Sequence, residues 1–96
     1  MAVRATFDPA EAAEVATQLG LDFTATPFSL DEFRRGMEVE LEHGRRDPTT
    51  NVTGDDPLTT GKIALAHLHE MPDYYTRLAR MEAEAEAELA EAMDPA

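Results

Sequence analysis

DPLTTGKIALAHLHEMPDYY, residues 56–75, decides the fold. Asp56-Pro57 is a helix start, a capping side chain followed by a proline that suits the first turn. Leu58, Leu65 and Leu68 then recur on one side at about 100° per residue. Ile63, His67 and Glu70 line the opposite side, while Lys62 and His69 point elsewhere. A helix that is apolar on one side and carries Ile, His and Glu on the other belongs in the middle of a bundle. Met71-Pro72 interrupts it, because the residue before a proline avoids helical angles. The stretch therefore predicts two helices joined by a short break, over about 57–70 and 73–92.

Outward from that stretch the same grammar recurs. The fourth helix carries Tyr74, Tyr75, Leu78, Met81, Ala85 and Leu89 on one side. Its Ala/Glu-rich end, residues 82–92, is strong helix composition expected to fray into solvent. Upstream, Asp8-Pro9-Ala10-Glu11 combines a cap, a first-turn proline and a capping-box Glu. Ala12, Val15, Ala16 and Leu19 follow at helical spacing, and Gly20 closes a first helix over 9–19. Ser29-Leu30-Asp31-Glu32 has the capping-box form again and opens a second helix over 30–43. Its apolar stripe is Leu30, Phe33, Met37 and Leu41, with Arg34, Glu38 and Glu42 on the far side and Gly44 as the stop. Residues 44–56 form a polar loop long enough to be either functional or packed down by its own turns. The reading is a single all-α domain over 1–96, a small bundle of about four short helices.

Composition narrows the functions. Eight Lys and Arg against 20 Asp and Glu give a net charge of -12, which repels phosphate backbones and anionic membrane surfaces. Direct nucleic-acid or membrane binding is therefore not expected. Cys 0 removes disulfides, thiolate metal sites and a Cys nucleophile together, so a metal would need nitrogen and oxygen ligands. Met1-Ala2-Val3-Arg4 leads into a charged helix rather than a signal-peptide apolar run. No stretch reaches the roughly 20 apolar residues of a membrane span. A cytoplasmic location is the expectation.

The candidate site is a set of polar residues on inner faces. Glu40 lies on the shoulder of the second helix's stripe with His43 one turn on, and His67 and Glu70 share the inner line of the third helix. Each pair places a carboxylate and an imidazole about one turn apart. Glu82 stands among Tyr75, Leu78, Ala85 and Leu89 where a leucine is expected. Glu-x-x-His pairs on facing helices, with additional Glu residues, are the ligand pattern of di-iron and di-manganese bundles. Glu40, His43, His67, Glu70 and Glu82 are thus candidate ligands for a divalent metal, Zn, Mn or Fe(II). The competing reading is a buried Glu/His network without metal, an unpaired buried carboxylate being too costly to stand alone.

Other signals carry less. Gly61-Lys62 is not a P-loop, since Asp56 and Ile63 stand where that motif needs Gly and Ser or Thr. Asp47, Asn51, Thr53, Asp55 and Asp56 could embrace calcium, yet the loop lacks the EF-hand order and its closing Glu. No Ser stands in a nucleophile-like setting, and no residue set names an enzyme. Tyr74, Tyr75, Arg34 and Arg35, with Arg45 and Arg46 nearby, are the first suspects for contact with a protein partner or a second copy.

Three ordered blocks, FSLDEFRRGMEVELEHG (28–44), NVTGDDP (51–57) and GKIALAHLHEMPDYY (61–75), together with LARME (78–82), resemble a family of small bacterial and phage-encoded proteins known as a domain of unknown function. The resemblance implies that the end of the second helix, the long loop and the His67 segment form one unit. It implies no activity, cofactor or substrate. Two functions lead: divalent-metal binding through the Glu/His cluster, or a non-enzymatic interaction or accessory module, of a phage- or particle-associated kind, with a structural network; a hydrolase or oxygen-activating enzyme at the same cluster would further need an open coordination position and a pocket.

Overall fold

A computed structural model describes residues 6–93, and among these the α-helices are α1 (Pro9–Gln18), α2 (Leu30–Arg46), α3 (Pro57–Glu70) and α4 (Tyr74–Met93). The starts follow the expected chemistry. The Asp8 carboxylate accepts from Glu11 N at 2.8 Å while Glu11 reaches back to Asp8 N at 3.1 Å. Asp56 accepts from Thr59 N at 2.9 Å. These bonds satisfy amides that the first helical turn leaves without partners. Gly20, at φ +74, closes α1: its N–H bonds Thr17 O at 3.0 Å and Leu21 N bonds Ala16 O at 2.9 Å. That double closure needs a left-handed residue, hence glycine.

α2 corrects two expectations. It continues through Gly44 to Arg46, so Gly44 is not a stop. A Cβ there would lie 3.0 Å from Asn51 Oδ1, so this glycine admits the loop against the helix. The capping box at Ser29 is half formed. Ser29 Oγ accepts from Glu32 N at 3.1 Å, but the Glu32 carboxylate turns to a different helix, described below.

The loop after α2 is held by its own turns. A 3-10 turn spans Pro48–Thr50, Asn51 Oδ1 accepts from Gly54 N at 2.9 Å, and Thr53 Oγ1 accepts from Asp55 N at 3.0 Å. Hydrogen bonds from Thr49 and Thr59 hold the Asp47 and Asp56 carboxyls below the usual carboxylate range. The oxygens considered for calcium are thus committed to caps and turns.

α2 and α3 form the centre, with α1 packed against both and the start of α4 laid across them. Phe33, Met37, Ala64, Leu68, Ala12 and Tyr75 are almost wholly buried there. Gly61 sets the approach of α3 to α1, since a Cβ on it would come within 2.5 Å of Val15 Cγ1. α4 departs from this packing. Tyr75 is its one buried residue, and every residue from Ala79 to Met93 is exposed. The helix, about 30 Å long, projects from the body. The principal extents are 53 × 29 × 21 Å, and the radius of gyration of 15.1 Å exceeds the roughly 12.5 Å of a compact chain this long.

Candidate functional site

The site grows from a glycine in the middle of α2. A Cβ on Gly36 would overlap the Tyr75 ring, with ring atoms Cδ2 and Cζ only 2.8 and 2.9 Å away. Glycine costs a helix interior up to about 1 kcal/mol against alanine, and here its bare backbone lets the ring of α4 lie on α2. Glu40 is one turn beyond Gly36, so the ring crosses the glycine and its hydroxyl donates to Glu40 Oε2 at 2.8 Å. Burial first, then the hydrogen bond to the Glu40 carboxylate, push the Tyr75 hydroxyl far above the ordinary tyrosine range. Tyr75 is accordingly a fixed donor, unsuited to act as a base or nucleophile.

Two imidazoles complete the surroundings of Glu40. His67 Nε2 of α3 stands 3.6 Å from Oε2, and His43 Nδ1 of α2 stands 3.8 Å from Oε1. Both are beyond hydrogen-bond length. The His67 ring stacks on Tyr74 with centroids 4.4 Å apart and planes at 8°, and meets Tyr75 edge-on at 6.1 Å. One nearly buried carboxylate thus gathers α2, α3 and α4.

A second carboxylate, about two turns earlier on α2, ties α2 to α4. Glu32, buried, accepts from Thr76 N at 3.0 Å and from Thr76 Oγ1 at 2.9 Å. Thr76 lies in the first turn of α4, where the amides are free and the dipole favours an anion. A side chain of α2 therefore caps α4 through space. Arg35 Nη1 donates toward Glu32 at 3.5 Å and toward Thr76 Oγ1 at 3.4 Å. Arg34 is similarly engaged, bonding Asp31 at 2.7 Å and Glu38 at 3.0 Å, while the other Glu38 oxygen accepts from Phe7 N at 3.0 Å. Among the described residues, no buried side-chain polar atom lacks a partner.

The sequence-derived candidates divide accordingly. Glu40, His43 and His67 come together, although His43 is mostly exposed. Glu70 and Glu82 do not join them, and both are exposed. Glu70 lies in the last turn of α3, and Glu82 lies beyond the point where α4 leaves the body, so helical periodicity placed it on a stripe that has nothing opposite it. Among the described residues no group of three or more His, Asp or Glu is placed to hold a metal ion. Of the suspected contact residues, Tyr75 is core rather than surface, Tyr74 is half-buried against His67, and Arg34 and Arg35 are held in ion pairs. A cleft of about 390 Å³ borders Glu40 and His43 and is walled by Gly44, Arg46, Val52 and Thr53. Tyr75 and His67 do not open into it.

Sequence reasoning missed Gly36, Glu32 and Thr76. Gly36 was detectable, since an isolated glycine within a strong helical pattern calls for a packing reason. Glu32 was concealed by the capping-box form, which assigns its carboxylate to its own helix.

Residues 12–84 match the model of a family described as "Protein of unknown function (DUF5661)", and the chain belongs to that family. Neither the curated proteins nor the solved structures include a match to the chain.

Proposed function

We propose that this DUF5661 member is a non-enzymatic interaction module, in which the Glu40 and Glu32 joints fix the root of α4 so that the rest of the helix is presented for docking. The observation that carries this reading is the division of α4. Its first turn holds the buried Tyr75 and is doubly tied to α2, yet Met81, Leu89 and Met93 are 57, 64 and 76% exposed. Three large apolar side chains on one projecting helix are a surface suited to a protein contact. The Glu40 cluster is read as a structural network rather than a divalent-metal centre, since the Tyr75 hydroxyl occupies one oxygen and Glu70 and Glu82 stand away.

The test is affinity capture with the full chain and with a Met81→Glu/Leu89→Glu chain, each with and without excess chelator. The reading expects species held by the native chain and lost by the variant. Capture that is indifferent to those two residues, or abolished by chelator, would overturn it.

A further inference from the structure

We propose that the cleft at the end of α2 binds the primary ammonium group of an alkylamine, carried by a free amine or by a lysine side chain of a partner. The cleft, about 390 Å³ in volume, is bordered by Glu40, His43, Thr50, Val52 and Thr53, and its size is that of a small-molecule site. Its walls are held in place. Asn51 and Thr53 pin the loop side through their bonds from Gly54 N and Asp55 N. The Tyr75 hydroxyl, from outside the cleft, fixes the Glu40 carboxylate by its Oε2. Glu40 Oε1 is left over. Among the described residues no donor lies within hydrogen-bond distance of it, although the side chain is only 11% exposed. No fully buried polar side-chain atom among those residues lacks a partner, so this oxygen opens to the surface.

The chemistry of the cleft is that of an acceptor set. Glu40 Oε1 and His43 Nδ1 stand 3.8 Å apart, too far for a direct bond. One nitrogen about 2.8 Å from each can donate to both, a neutral imidazole accepting at Nδ1. Thr50 Oγ1 spends its hydrogen on Asp47 O at 3.1 Å and keeps lone pairs for a further donor. The wall thus offers acceptors for the three hydrogens of a primary ammonium. The neighbouring cations are engaged elsewhere: Arg45 pairs with Asp55 at 3.4 Å, and the mostly exposed Arg46 faces Glu42 at 3.7 Å. Val52, 77% exposed, supplies an apolar surface for an alkyl stem. A metal ion is the poorer occupant, because among the described residues no group of three or more His, Asp or Glu is placed to hold one. The net charge of -12 draws organic cations to the protein, and the free carboxylate oxygen selects the place.

Carbon–proton correlation spectra of the full chain, titrated with butylammonium chloride at about pH 8, where imidazole is uncharged, test the proposal. The His43 ring and the Thr50 and Val52 methyls are expected to shift saturably, with a Kd of about 1–10 mM, the affinity of a few contacts. Tetramethylammonium at equal ionic strength, a cation without N–H donors, should leave those signals in place. Glu40→Gln is expected to weaken binding at least about tenfold, through loss of the charge-assisted bond. Because Glu40 also holds Tyr75, His43→Ala is the second variant, at a mostly exposed position, and should weaken binding at least about threefold. Nα-acetyl-lysine amide bound more tightly than butylammonium assigns the ammonium to a partner's lysine, and the reverse order assigns it to a free amine; both support the site. No saturable shift by about 50 mM, well above the expected range, an equal response to tetramethylammonium, or His43→Ala that binds as the native chain does would each overturn it.

Discussion

Replacing Gly36 by alanine should destabilise the protein, although alanine is the better helix former. The gain in helix propensity is about 0.5–1 kcal/mol. Against it, the new methyl would occupy the space of the Tyr75 ring, whose Cδ2 and Cζ would be 2.8 and 2.9 Å away. The ring is a rigid, buried body between α2 and α4 and has no free end to swing aside. Overpacking of this kind costs about 1–3 kcal/mol, and displacing the hydroxyl from Glu40 forfeits a charge-assisted hydrogen bond of about 1.5–3 kcal/mol. The net loss is about 1.5–5.5 kcal/mol, at least about 6 °C in melting temperature for a domain of this size. The sharper test is a cycle with Tyr75→Ala. Once the ring is gone, Gly36→Ala should become stabilising by about 0.5–1 kcal/mol, read from urea unfolding. The same sign in both backgrounds would refute the reasoning, since the ring would then not be the reason for the glycine.

Glu32→Ala should lower stability by about 1–3 kcal/mol, because it leaves the first turn of α4 without its carboxylate acceptor; a cycle with Thr76→Ala should show coupling, and additive effects would count against the through-space cap. Tyr75 sets an alkaline limit. The folded chain holds its proton more tightly than the unfolded one, so the contribution is complete below the ordinary tyrosine range near 10 and is lost as pH rises above it. The native chain should therefore lose stability above about pH 10, with a steeper decline than Tyr75→Phe, and equal pH profiles would contradict the burial of this proton. Zn²⁺, Mn²⁺ or chelator should leave the melting temperature unchanged. A site saturated at a hundredfold excess over Kd would add about 2.7 kcal/mol, a shift too large to miss.

The helices were legible because their caps, prolines and stripes agree: Asp8, Ser29 and Asp56 each begin a helix as read. The root of the site was half legible. Periodicity placed Glu40, His43 and His67 on facing edges, and the fold brings them together. Glu70 and Glu82 were misplaced for one reason. A helical wheel gives the direction of a side chain around its own axis but not how far the neighbouring helices extend, and the body ends before Glu82. Gly44 was misread because glycine serves both as a left-handed cap and as a close-approach position, and only the φ angle separates the two. Glu32 shows the converse limit, a local motif whose side chain has a better partner, Thr76, 44 residues away.

The division of α4 into a tied root and a free docking length is tested most directly by the thermal unfolding of a chain ending after Arg80, compared with the full chain at a few micromolar. Residues 81–93 are all exposed, and changes at such positions usually stay within about 0.5 kcal/mol. The expected midpoint is therefore within about 4 °C of the full chain. A fall of more than about 10 °C, well beyond that surface allowance, would contradict the division and make the distal helix part of the folded core.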